Sequence, residues 1–131
     1  MATTFREPNM VKWIGVRPGH EGVQILAFDD IANGAVALYT VGADKMGFIT
    51  TVAISAGASL AAFGYIDYWN AVPATVGRFA TLRGTGGPYD ASAQVNFWPP
   101  LEMVEGFSIR LFSSLAGYTV FGMVHGWEID V

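Results

Sequence analysis

The chain has 131 residues, of which 52% are hydrophobic and only 14% charged, with a formal net charge of −4 and no cysteine. This length suits one domain with its own core, and the absence of cysteine excludes disulfide bonds, thiol catalysis and thiolate metal sites. The seven Lys and Arg residues are scattered singly between Arg6 and Arg110. Proteins that grip nucleic acid through its phosphates need clustered cations, so the sequence predicts no direct binding to nucleic acid.

The small number of charged residues also indicates how polar the surface can be. A soluble domain usually has about a quarter of its residues charged, well above the 14% of this chain. Too few polar side chains are present to cover an isolated domain of this size, so we expect part of the surface to be apolar and buried against other protein. The alternative is a well-packed monomer whose outer faces are rich in Ala and Gly.

The N-terminal residues 1–11 show no periodicity and contain Pro8, which predicts an extended arm ahead of a domain at 12–131. Such an arm can add a strand to a neighbour or lie across its surface. The residues expected to anchor it to a partner are Phe5, Met10, Val11 and Trp13.

Short apolar or alternating runs separated by Gly-, Pro- and Asp-rich turns predict strands throughout the rest of the chain. In chain order they are 12–16, 22–28, 35–41, 47–55, 59–69, 76–83, 91–98, 107–113 and 117–130. About eight to ten antiparallel strands without a crossover helix predict an all-β fold, a jelly-roll-like antiparallel β-sandwich.

One segment, residues 46–66, has no charge and is long enough to span a bilayer. It contains three glycines, and β-branched residues dominate its first half, which favours two buried strands that meet near Gly57. We therefore expect no membrane span.

Period-two alternation is clearest in the last third of the chain. In 91–97 the apolar residues alternate with Ser, Gln and Asn, and in 107–113 Ile109 and Leu111 share a face opposite Arg110. The run 117–130 is apolar at both parities, which predicts a central strand covered on both faces.

The stretch "NFWPPLEMVEGF" raises the question of a catalytic carboxylate pair, Glu102 and Glu105. Pro99 and Pro100 cannot donate to a sheet ladder, so we expect the strand from 91 to end there, with Gly106 making the turn into the next strand. The two glutamates then lie on a solvated rim, without the burial or close partner that acid–base catalysis needs.

No other pattern predicts chemistry. A metal site would have to combine His20, Glu21 and His125, which lack the spacing of metal ligands, and His125 is better explained as a hydrogen-bonded residue at a strand end. No Gly-x-Ser-x-Gly elbow and no complete phosphate loop is present. We expect no enzymatic activity, no metal and no cofactor.

Tryptophans provide the remaining candidates for a binding role, because sugar faces stack on indole rings. Trp98, beside the two prolines, is the best placed of the four. Most buried aromatic side chains fill a core or an interface, so a core or interface role remains the alternative.

The run "NFWPPLEMVEGFSIRLFSSLAGYTVFGMVHGWE", together with the opening "KWIGVRPG", resembles the small jelly-roll cement or decoration proteins of tailed bacteriophage capsids. The resemblance implies a structural virion protein on the outer surface of the capsid that binds the major capsid protein and bridges its subunits. We also expect a homo-oligomer, a dimer or trimer, and contact surfaces that include Trp98. Two alternatives stay open at this point, a receptor- or glycan-binding jelly roll of a phage tail or spike, and a cupin-like enzyme.

Overall fold

Eight antiparallel strands build the part of the chain that a computed structural model describes, residues 22–57, 61–71, 74–84 and 90–131. They are β1 (Val23–Ile31), β2 (Gly34–Thr40), β3 (Lys45–Ala56), β4 (Phe63–Ala71), β5 (Ala74–Arg83), β6 (Ala91–Val104), β7 (Ser108–Ser113) and β8 (Val120–Asp130). The predicted arm at 1–11 and the predicted strand at 12–16 lie outside the described residues.

The strands pair in a nested order. β1 pairs with β8, β2 with β7, β3 with β6 and β4 with β5, as in one long hairpin. Two further ladders, β3 with β8 and β4 with β7, roll this hairpin into a first sheet of order β1-β8-β3-β6 and a second sheet of order β2-β7-β4-β5. This arrangement is the jelly roll, and the predicted all-β antiparallel sandwich is confirmed.

The core lies between the inner faces of the two sheets and follows the alternation of the sequence. The side chains exposed by 2% or less include Val52 and Ile54 of β3, Ile66 of β4, Ile109 and Leu111 of β7, and Val120 and Val124 of β8. On β6 the apolar residues from Ala91 to Phe97 pack against this core, while Ser92, Gln94 and Asn96 are exposed. Alternation places every second side chain on one face of a strand, so the period-two runs give the core-facing residues directly.

The prediction that a strand ends at Pro99 is wrong, because β6 continues through both prolines to Val104. Asn96 lies opposite Thr51 and Leu101 opposite Ile49, so residues 97–100 form a bulge opposite Thr50. The Trp98–Pro99 peptide bond within this bulge is cis. β6 is an edge strand of the first sheet, and edge positions and bulges tolerate a residue that has no N–H to donate.

The turn predicted at Gly106 is present. Gly106 has a φ of +88°, which only glycine adopts without strain, and its N–H donates to the carbonyl of Val41. This turn brings the end of β6 beside the loop between β2 and β3.

β8 lies between β1 and β3, as expected for a central strand. Its inner face is buried, but Phe121 on its outer face is 51% exposed, so the prediction that both faces are covered is wrong for the single chain. The uncharged segment at 46–66 forms most of β3 and the start of β4, and among the described residues no helix has the length and apolar character to cross a bilayer.

Candidate assembly surface

Trp98 is the only predicted contact residue that the structure describes, since Phe5, Met10, Val11 and Trp13 lie outside the described residues. It projects from the bulge of β6 with 74% of its surface exposed. An indole this exposed is accessible to a partner, and the predicted role of Trp98 in binding stays a prediction. The four arm residues stay predictions.

Glu102 and Glu105 lie on the rim, as predicted, and the expected absence of catalysis by this pair stays a prediction. Both are exposed on the rim, and the Glu105 carboxylate accepts a hydrogen bond from the backbone N–H of Asp44 at 3.1 Å. A cleft of about 350 Å³ lies beside Glu102, and its other lining residues are Tyr68, Leu101, Met103, Val104 and Phe107. Among the described residues, Glu102 is the only carboxylate that lines this largely apolar cleft, and Glu105 instead contacts the loop at Asp44.

His125 is hydrogen-bonded, as predicted, but it lies in the middle of β8 and not at a strand end. Its Nδ1 lies 2.8 Å from the Thr50 hydroxyl, its Nε2 lies 3.1 Å from Nε2 of Gln24, and its ring meets Trp127 edge-on. One assignment satisfies every group: the Gln24 amide donates to Nε2, Nδ1–H donates to Thr50, and Thr50 donates to the His125 carbonyl. Both ring nitrogens are thereby engaged.

Within the described ranges, no three His, Asp or Glu side chains are grouped so that they could hold a metal ion. His20 and Glu21, the other two residues of the hypothetical metal site, lie outside those ranges. A site that would combine these two residues with His125 is therefore not tested, and the expected absence of a metal stays a prediction.

The most distinctive surface is an apolar area on the outer face of the first sheet. Leu26 and Phe28 of β1 are 54% and 68% exposed, and Phe121 of β8 is 51% exposed. Met123 lies opposite Phe28 in the β1–β8 ladder and opposite Ala53 in the β3–β8 ladder, which joins three strands into one area. We name these five residues, Leu26, Phe28, Ala53, Phe121 and Met123, the Phe28–Phe121 patch.

The patch is not flat. Two shallow depressions of about 180 and 280 Å³ are lined by Phe28 and Phe121, one of them reaching Ala53 and Met123 and the other reaching Asp29 and Asp30. A surface with ring-lined depressions next to projecting phenyl groups can interlock with another protein surface. Its acidic border, Asp29 and Asp30, is exposed.

The sequence predicts an apolar surface, but it does not identify these five residues as its members. The signal that locates it is the run Ile25–Phe28, which is apolar at both parities although only Ile25 and Ala27 face the core. A strand that is apolar at both parities has an apolar outer face, and whether that face is covered depends on the rest of the fold.

No protein-family model and no curated protein matches this chain. Solved structures with a similar arrangement of strands include a pentameric capsid protein from metagenomic phage sequences, at 14% identity and a TM-score of 0.44 over 81% of this chain. The chain spans 60% of the length of that capsid protein.

Two further solved structures are similar to a comparable degree. One is the Drosophila NLP core, a structure that provides insight into pentamer formation and histone binding. It is 16% identical with a TM-score of 0.46, and the match covers 81% of this chain and 99% of the NLP core. The virus-like particle protein of the extra small virus of the giant freshwater prawn Macrobrachium rosenbergii is 12% identical with a TM-score of 0.39, covering 81% of this chain and 79% of its own. At these identities and scores, the similarity assigns neither a function nor an assembly to the chain.

Proposed function

We propose that this protein is a structural, non-enzymatic component of a virion that works by assembling with other protein. In its specific form, the proposal is a capsid decoration (cement) protein that forms a homo-oligomer, binds the major capsid protein on the outside of a phage shell and stabilises it. The observation that carries the proposal is the exposed Phe28–Phe121 patch.

The energetics of the patch favour a covered state. Leu26, Phe28 and Phe121 each leave more than half of their surface in water. Burying a side chain of this size contributes about 1.5–3 kcal/mol relative to leaving it exposed. Contiguous apolar patches of this kind on a small domain mark sites of protein–protein interaction, and the low charge of the whole chain points in the same direction.

A second exposed site supports a bridging role. Trp98 lies on β6 and the patch begins on β1, and these are the two opposite edge strands of the first sheet. Three strand spacings, about 14 Å, separate β1 from β6, and within the patch Ala53 on β3 lies nearest to β6. The Phe28–Phe121 patch can bind other copies of the chain while Trp98 binds a shell protein. The sandwich would then join the shell protein to the oligomer.

The self-association part is tested by light scattering coupled to size-exclusion chromatography over a range of protein concentrations. We expect the unmodified chain to be oligomeric, and Phe28→Ser/Phe121→Ser to weaken association by at least about tenfold. Val104→Ser is the matched control, because Val104 is also 50% exposed but lies on β6 outside the patch. A chain that stays monomeric at every concentration contradicts the proposal.

The decoration part needs phage shells that lack the protein. We expect the purified oligomer to bind such shells saturably and to raise their temperature of disruption, and Trp98→Ala to weaken that binding. Shells that bind no protein, or that bind it without any gain in resistance, would limit the proposal to self-association.

A second candidate function is glycan binding in a phage tail or spike, and the 74% exposure of Trp98 favours it. The expected observation is saturable binding of a glycan by the unmodified chain, which Trp98→Ala abolishes and Val104→Ser preserves. Shell binding without glycan binding would decide for the first function.

A further inference from the structure

All three arginines of the described residues lie on the outer face of the second sheet. In β4, Phe63, Tyr65, Asp67 and Trp69 share that face, because Gly64 and Ile66 between them are buried in the core. The neighbouring strands bring Arg83 opposite Phe63, Arg78 opposite Asp67, and Arg110 opposite Asp67 from the other side. We name the residues Phe63, Tyr65, Trp69, Arg78, Arg83, Arg110 and Phe112 the arginine face.

Each guanidinium on this face is held by an aromatic ring. The Arg78 guanidinium lies 3.7 Å from the centre of the Tyr65 ring, and Arg110 and Arg83 lie 4.6 and 5.8 Å from the rings of Trp69 and Phe63. Tyr65 stacks in turn on Phe112 at 4.6 Å. A guanidinium stacked on a ring is pre-oriented and keeps the N–H groups at its edge available for anionic acceptors.

Only one of the three arginines is neutralised by a carboxylate. Arg110 pairs with the buried Asp67, whereas no described carboxylate lies within salt-bridge distance of Arg78 or Arg83. Both of these arginines are exposed. Among the described residues, the arginine face therefore presents two positive charges that no carboxylate neutralises.

The rest of the described surface has the opposite sign. The other acidic residues lie off the second sheet, on β1, β6, β8 and the adjoining turns, and are Asp29, Asp30, Asp44, Asp90, Glu102, Glu105, Glu128 and Asp130. Lys45 is the one cation of the described residues among them, and it is already paired with Asp130. Arg78 and Arg83 thus lie on the second sheet, whereas the exposed carboxylates of the described residues lie on the first sheet and in the turns that connect the two sheets.

We propose that the arginine face of one copy binds the acidic border of the Phe28–Phe121 patch, at Asp29 and Asp30, on a second copy. This inference rests on the self-association proposed above and specifies its geometry. Asp30 lies directly opposite Phe121 in the β1–β8 ladder, so carboxylates and exposed phenyl groups are adjacent on the receiving surface. The arginine face offers the counterpart, guanidinium groups between aromatic rings.

The charges also decide the symmetry of the contact. Two arginine faces cannot meet each other, because Arg78 and Arg83 would face their own positive charges. The contact therefore joins two different surfaces, and such heterologous contacts build closed rings or open chains of subunits rather than a two-fold dimer. Of the dimer and trimer predicted from the sequence, this geometry is compatible with the trimer and with larger rings.

Charge reversal tests the inference in the full-length chain. We expect Arg78→Glu and Asp30→Lys each to weaken association by at least about tenfold, measured by sedimentation velocity, and the double variant to associate within about threefold of the unmodified chain. Lys45→Glu is the control for net charge, because it changes that charge as much as Arg78→Glu does but lies on β3, where it also removes the ion pair with Asp130. All variants should keep the far-ultraviolet circular dichroism of the unmodified chain.

The outcomes separate the two proposals. An unmodified chain that associates while Arg78→Glu and Asp30→Lys associate equally well overturns this inference and leaves the proposed function standing. An unmodified chain that stays monomeric overturns both. Binding of a single-stranded oligonucleotide that Arg78→Glu abolishes, with association unchanged, would show that the face takes a polyanion and would overturn the contact between copies.

Discussion

The guanidinium of Arg110 covers the carboxylate of Asp67, whose residue is fully buried within the second sheet. Nε of Arg110 donates to Oδ1 at 3.2 Å, and a terminal nitrogen donates to Oδ2 at 3.0 Å, in the two-pronged geometry that Arg and carboxylates form best. The two residues are register partners in the β4–β7 ladder, and the Arg110 side chain remains 23% exposed. Strand pairing thus places a cation over the one buried acid of the described residues.

Arg110→Met should destabilise the fold strongly, because it leaves the Asp67 carboxylate buried without a partner. We expect a loss of about 3–5 kcal/mol in the free energy of unfolding, measured by urea denaturation. The double variant Asp67→Leu/Arg110→Met should recover most of that loss, since it removes the buried charge as well. A single variant as stable as the unmodified chain would show that water reaches Asp67.

Gly126→Ala should also lower stability, for a steric reason. A Cβ at this position would lie 2.0 Å from the carbonyl oxygen of Phe48 and 2.9 Å from Cα of Ile49, so β3 and β8 would have to move apart. We expect a loss of at least about 3 kcal/mol. Gly42→Ala is the control, because its nearest neighbour is the flexible Lys45 side chain at 3.6 Å, and its loss should stay below about 1 kcal/mol.

Tyr39→Phe should change how stability depends on pH. Burial, and then the hydrogen bond at 2.5 Å to the Glu128 carboxylate, raise the pKa of Tyr39 well above its ordinary value. The raised pKa stabilises the fold below about pH 10, and this contribution is lost at higher pH, where the unfolded chain has released a proton that the folded chain still binds. Urea denaturation between pH 7 and 11 should show a shallower alkaline decline for the variant and a loss of about 1–2 kcal/mol at pH 7.

The matched variant is Tyr118→Phe. Burial raises the pKa of Tyr118 too, but its hydroxyl has no hydrogen-bond partner among the described residues. The substitution removes a buried polar atom and no bond, so stability at pH 7 should be unchanged or higher. Equal losses for both variants at pH 7 would contradict the role given to the Tyr39–Glu128 bond.

Ser113→Ala should destabilise the end of β7. The Ser113 hydroxyl is fully buried and donates to the carbonyl of Tyr118 at 2.5 Å, which ties the loop after β7 to the strand. Removing it leaves that carbonyl without this donor, and we expect a loss of about 1–3 kcal/mol in thermal or urea unfolding. Ser92→Ala, at an exposed position of β6, should change stability by less than about 0.5 kcal/mol.

Much of the fold could be predicted from local patterns. The run 107–113 coincides with β7 to within one residue, and the alternation of 91–97 identifies which residues of β6 face the core. The strand end predicted at Pro99 is wrong because the effect of a proline depends on its position in the sheet. A missing N–H breaks a central ladder but is tolerated at the edge and in a bulge, and only strand order shows that β6 is an edge.

Candidate contacts were harder to predict. The place of Trp98 beside the prolines makes it a candidate, its side chain is exposed, and its role in binding stays a prediction. Along the sequence, Arg78, Arg83 and Arg110 are isolated cations, which gives no indication of a shared surface. They lie on one face because β5, β4 and β7 are neighbours in the second sheet.

By itself, the sequence determined the all-β class, the antiparallel sandwich and the excess of apolar surface, since alternation, turn residues and composition are properties of short segments or of the whole chain. Tertiary structure alone decided the jelly-roll strand order, the exposed Phe28–Phe121 patch and the grouping of Arg78, Arg83 and Arg110 on one face. These depend on which strands pair and in which register, and pairing joins residues as distant as Val23 and Glu128. Whether a side chain is exposed depends on how the rest of the chain packs around it.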